Sequence, residues 1–159
     1  MMKITVISLA SLKEKYLKEA ADEYIKRLGA FCDLKIIELD PVRLPEKPSP
    51  AEISAALCRE AKLIAKKIPA GDFVVPLCIE GKQFSSEEFA EMLEEKMNIG
   101  RGVTFIIGSS CGLSDDIKRR ADLRLSFSKM TFPHKLFRVM LLEQLYRAFK
   151  ICWGGAYHK

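Results

Sequence analysis

The sequence predicts an α/β domain, a mostly parallel sheet with helices on both faces. Two observations carry the prediction. Short β-branched runs alternate with amphipathic stretches along the whole chain, as they do where helices connect parallel strands. One of those runs, Val103-Thr-Phe-Ile-Ile107, is apolar throughout and leads straight into Gly108-Ser-Ser-Cys-Gly112, a buried strand delivered into a tight turn. No repeat, low-complexity segment or linker divides the 159 residues, so residues 1–159 are expected to form one domain with its own core.

The elements follow in order. Residues 3–9 are β-branched and read as a strand. Ser11 is placed to cap a helix through Leu28, with Leu12, Tyr16, Ala20, Tyr24 and Leu28 on one face, and Gly29 ends it. Residues 34–39 are a second strand. Pro41, Pro45, Pro48 and Pro50 make residues 40–50 an extended loop. A second helix spans residues 51–68 and stops at Pro69 and Gly71. The third strand, residues 73–79, contains Pro76, which predicts an edge position or a bulge. Ser85 or Ser86 caps a third helix through about Met97, favoured by Glu87 and Glu88 in its first turn. After strand four, a short helix begins beyond Ser114, with Asp115 and Asp116 early and Lys118, Arg119 and Arg120 late, matching the helix dipole. Residues 123–126 are strand five. Pro133 opens a last helix that runs to about Cys152.

Composition excludes several classes of protein. A hydrophobic content of 48% and a charged content of 30% are those of an ordinary globular chain, and no apolar run reaches the roughly 20 residues needed to span a bilayer. Residues 1–10 lack the pattern of a signal peptide. The five cysteines are odd in number and scattered, with no CxxC pair, and two histidines do not complete an ordinary zinc site; reduced thiols in a cytoplasmic protein are expected. Charge is unevenly placed. Residues 1–116 carry 16 Lys and Arg against 19 Asp and Glu, whereas residues 117–159 carry 10 against 2, a net of +8. Such asymmetry suits a face that meets a polyanion such as nucleic acid.

In an open parallel sheet, ligands bind beyond the carboxyl ends of the strands. Three such ends stand out: Leu77-Cys-Ile-Glu-Gly81, the turn 108–112, and the run 127–132. The glycine spacing is neither GxGxxG nor a P-loop, and the first strand ends in Ser8-Leu-Ala-Ser-Leu12 without glycine, which disfavours a Rossmann-type enzyme. Leu125-Ser-Phe-Ser-Lys-Met-Thr-Phe-Pro-His134 has no repeating period. Its Phe127, Met130 and Phe132 either pack on the core or wall an apolar slot for a flat ligand.

These motifs, together with Ile107-Gly-Ser-Ser-Cys-Gly-Leu113, Arg138, Glu143-Gln-Leu-Tyr-Arg-Ala148, the terminal Tyr157-His158 and the opening Lys3-Ile-Thr and Lys13-Glu-Lys-Tyr16, resemble the RlmH family. These are small SPOUT-class methyltransferases of large-subunit ribosomal RNA. The resemblance covers essentially the whole chain. It implies an α/β knot, with the C-terminal segment threaded through a loop, which sequence reasoning alone would not propose because knots are nearly absent from proteins. It implies a homodimer that binds S-adenosylmethionine and methylates N3 of a pseudouridine in 23S rRNA on the assembled ribosome, with no role for DNA, membrane or metal. Carried over, the cofactor contacts are Leu77, Gly108, Phe127, Ser128, Lys129, Met130, Thr131 and Phe132. The chain departs from the family at Ser109, where a second glycine is usual, and Cys111 stands where the family varies.

The resemblance also directs attention to the proton on N3, which must leave before the imide nitrogen is a competent nucleophile. His134, His158 and Glu143 are candidate acceptors, and histidine suits the task at neutral pH. Arg138 is the expected contact to RNA phosphate or to the target base, and Tyr157, His158 and Lys159 offer a stacking ring and phosphate donors. Arg147 lies four residues after Glu143 and reads as its intrahelical partner. The last helix is apolar on more than one face, which suggests burial against both its own sheet and a second subunit. A rival class, a non-catalytic RNA- or ribosome-binding protein, explains the +8 segment but not the apolar run 127–132.

Overall fold

The computed structural model describes residues 1–157. Five strands, β1 (Met2–Ser8), β2 (Cys32–Glu38), β3 (Phe73–Gln83), β4 (Val103–Ile107) and β5 (Leu125–Ser126), form one sheet in the order β2-β1-β4-β3-β5, every pair parallel. The connecting helices are α1 (Lys15–Leu28), α2 (Pro50–Ala65), α3 (Ser86–Asn98), α4 (Asp115–Arg120) and α5 (His134–Cys152).

The pleat divides the core into two layers, because successive side chains point to opposite faces. Val6, Val75 and Phe105 join the larger cluster, with Phe89 and Leu93 of α3 and Leu141, Leu145 and Phe149 of α5. Ile7, Val74 and Ile106 point the other way, onto Ala61 and Ile64 of α2 and Ile117 of α4. Helices therefore cover both faces, as expected. Ser49 and Ser85 begin α2 and α3 with complete capping boxes to Glu52 and Glu88. Ser114 caps α4.

The structure corrects several details. Ser11 does not cap α1, which starts at Lys15 behind Glu14. Residues 9 and 10 still follow the sheet, with the Leu9 N–H donating to the Ile107 carbonyl at 3.1 Å, so the chain is not free to turn earlier. The expected apolar face of α1 is also displaced: Leu17, Ala21 and Leu28 are buried, and Tyr16 is 70% exposed. A strict spacing of four drifts by about 40° per step on a helix of 3.6 residues per turn, so such a series cannot hold one face. Pro50 belongs to α2 as its first residue, and the helix ends at Ala65 rather than Ile68. β3 is not an edge strand. Pro76 pairs in register with Ile106, and the irregularity comes just after it, where Leu77 and Lys82 both align with Leu125.

The order of the strands brings the carboxyl ends of β3, β4 and β5 side by side. α5 lies against the same face, with Arg138, Leu141, Leu142, Leu145, Ala148 and Phe149 buried. Much of its apolar surface is thus used within the chain, while Phe137, Val139 and Met140 stay half-buried.

Candidate active site

Beyond the ends of β3, β4 and β5 lies a cavity of about 630 Å³. Leu77 contributes from β3, Gly108 from the turn after β4, and Phe127, Ser128, Thr131 and Phe132 from the run after β5. The volume is in the range of small-molecule sites, and the walls are mainly apolar with a few hydroxyls and backbone groups.

The turn after β4 needs glycine at both ends, for different reasons. A β-carbon on Gly108 would collide with the Gly112 carbonyl oxygen, whereas Gly112 has φ +84°, a left-handed conformation. The Gly112 N–H closes the turn on the Ser109 carbonyl at 2.9 Å. Ser109 itself carries no strain, since no non-glycine residue among those described has positive φ. Its hydroxyl donates to Glu60 Oε1 at 3.1 Å, and Glu60 Oε2 accepts the Val42 N–H at 2.9 Å. Glu60 is only 4% exposed, so one buried carboxylate ties the glycine turn to the proline-rich loop. Sequence reasoning passed over Glu60. The signal was a charged residue on the apolar stripe of α2, between Ala56 and Ile64.

After β5 the packing alternative holds for Phe127 and Phe132, and both also line the cavity. They pack edge-on against Phe137 of α5, at 5.9 and 5.7 Å between ring centroids. Lys129 and Met130 do not line it, and Met130 is 72% exposed. The Ser126 hydroxyl donates to the Ser128 carbonyl at 3.1 Å, and the Ser128 hydroxyl accepts the Met130 N–H at 3.0 Å. This local turn carries residues 129 and 130 outward.

His134, the first residue of α5, lines the cavity. Burial, then the nearby cations Lys135 and Arg138, hold its imidazole below the usual histidine range, with Glu14 acting weakly in the other direction. The ring is therefore neutral at pH 7 and able to accept a proton. Two thiols, Cys78 and Cys111, also face the cavity; burial and the Glu80 carboxylate push Cys78 up, away from the reactive thiolate.

Arg138 is not where its expected role requires. Its side chain is 4% exposed and turned inward, donating to Glu38 at 2.7 Å and to the Ala10 carbonyl. A guanidinium committed in this way fastens α5 to the ends of β1 and β2 and does not face solvent. Glu143 pairs with Arg147 as expected, and it lines a second cavity of about 410 Å³ that shares Leu125, Ser126 and Phe127 with the first. Tyr157 lies on its own α5: its hydroxyl donates to Glu143 at 3.3 Å, and its ring stands edge-on to Tyr146 at 4.9 Å. Burial, then Tyr24, push the phenol up to about 12. His158 and Lys159 lie outside the described residues.

An open parallel sheet with an apolar, glycine-cradled cavity beyond its carboxyl ends defines an α/β protein whose cavity lies where such folds bind small molecules. The family model described as a predicted SPOUT methyltransferase matches residues 2–158, and the chain belongs to that family. It is 48% identical over 159 residues to the ribosomal RNA large subunit methyltransferase H of Carboxydothermus hydrogenoformans, covering 99% of this chain and 100% of that one. It is 50% identical, with the same coverage, to the protein of that name from Streptococcus suis and to ribosomal RNA large subunit methyltransferase H 1 of Clostridium perfringens. Among solved structures it is similar to the SpoU methyltransferase AviRb of Streptomyces viridochromogenes, in complex with AdoMet, at a TM-score of 0.45 and 14% identity, covering 97% of this chain and 59% of that one. That likeness is too distant to bear on the site.

Proposed function

We propose that this chain transfers the methyl group of S-adenosylmethionine to N3 of a pseudouridine in 23S rRNA, acting on the assembled ribosome in the cytoplasm as a homodimer with the knot its family implies. The observation that carries the reading is the cavity itself, where Gly108, Phe127 and Phe132 converge in a chain of the SPOUT methyltransferase family. The relatives' shared name supports ribosomal RNA as substrate.

The residues present fit the cofactor. Phe127, Phe132 and Leu77 offer apolar walls for an adenine ring, Gly108 permits close backbone approach, and Ser128 and Thr131 supply hydroxyls. When bound, the cofactor supplies an already activated methyl sulfonium, so the protein's task is orientation and removal of the imide proton. His134, neutral and on the cavity wall, accepts the N3 proton at an unprotonated ring nitrogen. The hydrogen bonds from Ser109 and Val42 to Glu60 hold the glycine turn in place during this step. The tail from Tyr157, which rests against Glu143 and Tyr146, is a substrate element of this reading.

The test is transfer of labelled methyl to intact ribosomes and to free 23S rRNA, followed by mapping of the modified nucleotide. Label on a pseudouridine N3, in ribosomes and not in free RNA, is the expected result. Label on another nucleotide would refute the assignment. A chain ending at Ala156 should lose transfer while still binding cofactor; unchanged turnover would remove the tail from the mechanism.

A further inference from the structure

We propose that the cleft between the outer end of β3 and the α4–β5 connection grips the rRNA backbone beside the target nucleotide, through Lys82 and Arg124. The inference rests on the ribosomal RNA reading and adds where that RNA is held. The cleft has a volume of about 550 Å³ and is lined by Lys82, Lys118, Arg119 and Arg124, with Glu80 and Asp122 as its two carboxylates. It shares Glu80 and Lys118 with the cofactor cavity, so the two are neighbours.

Both carboxylates are already committed. Glu80 pairs with Lys118 at 2.5 Å. Asp122 accepts the Val74 N–H at 2.8 Å and meets Arg101 at 3.5 Å. Arg119 has Asp116 of its own helix. Lys82 and Arg124 are exposed, and among the described residues neither has an ion pair. Lys82 only lies over the Phe84 ring, at 5.0 Å.

Their placement is set by backbone. The Lys82 N–H donates to the Arg124 carbonyl at 2.8 Å, and a β-carbon at Gly81 would stand 2.8 Å from that same peptide. Glycine is thus what lets the two cation-bearing segments lie in contact. Two exposed cations on backbone held in contact, with Arg124 feeling only the Glu80 carboxylate that Lys118 already pairs, suit consecutive phosphates, with the arginine able to bind one in bidentate fashion. They would also position a flexible strand without reading its sequence.

The experiment uses the full-length protein with Lys82→Glu/Arg124→Glu, and Lys66→Glu/Lys67→Glu as a control of equal charge change on the exposed end of α2. Methyl transfer to ribosomes is measured across a salt series, with cofactor affinity measured alongside. The cleft variant should show a KM for ribosomes raised about tenfold or more, a log–log salt dependence shallower by about one to two, and unchanged cofactor affinity. A KM and salt slope equal to those of the control would overturn the proposal. Wild-type protein that neither sediments with ribosomes nor methylates them would instead refute the substrate reading, and the cleft's role with it.

Discussion

Arg138 on α5 and Arg124 before β5 belong to the same basic segment, residues 117–159, and the fold uses them in opposite ways. Arg138 is 4% exposed and held by Glu38 and a backbone carbonyl through its two terminal nitrogens, while its Nε is buried without a partner. Arg124 is exposed on a cleft and has no ion pair among the described residues. Lys135 and Arg147 follow the first pattern, paired to Glu14 and Glu143. α5 packs beside α1 and α3, and Lys135 and Arg138 meet carboxylates of other elements while Arg147 meets one on its own helix. Around β5 the neighbouring carboxylates, Glu80 and Asp122, are already taken by Lys118 and by Val74 and Arg101. Net charge along a sequence therefore overstates what is available to a polyanion, and only packing decides which cations remain free.

The contrast has measurable consequences. Arg138→Ala should lower unfolding free energy in urea by about 2–4 kcal/mol, since it strips a buried site of its ion pair and carbonyl partner; the half-exposed Glu38 keeps the cost below that of a fully buried pair. A smaller loss would show that α5 does not need this anchor. Glu60→Ala should cost about 1–3 kcal/mol and weaken cofactor binding, because it frees both the glycine turn and the proline-rich loop. Stability lost without any change in cofactor affinity would confine Glu60 to a structural role.

The pH dependence follows from His134. Its folded pKa is lowered, so the neutral acceptor persists below the ordinary histidine range. Turnover should stay flat through pH 7 and fall tenfold per pH unit only at pH below about 6.5, and His134→Gln should remove that limb together with most of the rate. An acid limb centred above pH 7 would assign it to another group. In the same direction, this residue's contribution to stability declines as pH falls below about 6.5, because the unfolded chain then binds a proton that the folded imidazole resists. The smallest effect belongs to Arg124→Ala, which should change stability by no more than about 0.5 kcal/mol.

Local features were legible in the sequence and long-range partners were not. The strand Val103–Ile107, the helix starting beyond Ser114, a serine cap at Ser85 or Ser86, and the convergence of Leu77, Gly108, Phe127 and Phe132 all follow from patterns within a few residues and from where ligands bind on parallel sheets. Arg138 escaped because its partner Glu38 lies 100 residues earlier, brought close only by the order of the strands. Glu60 and Ser109 escaped for the same reason, across 49 residues. The outward turn of Lys129 and Met130 depends on two serine hydroxyls whose bonding only the folded backbone determines. Ser109, expected to depart from the family pattern, is compatible with the turn: the left-handed position is Gly112, and the serine hydroxyl has a partner.

The most direct test of the cofactor cavity is calorimetric titration of S-adenosylmethionine into the wild-type protein and into Gly108→Ala, with thermal unfolding of both as a check on folding. The wild type should bind, and the variant, whose β-carbon would meet the Gly112 carbonyl, should give no measurable heat. Should that variant fail to fold, Phe127→Ala takes its place and should bind more weakly. A wild type that binds no cofactor, or a folded variant that binds as tightly, would contradict the account.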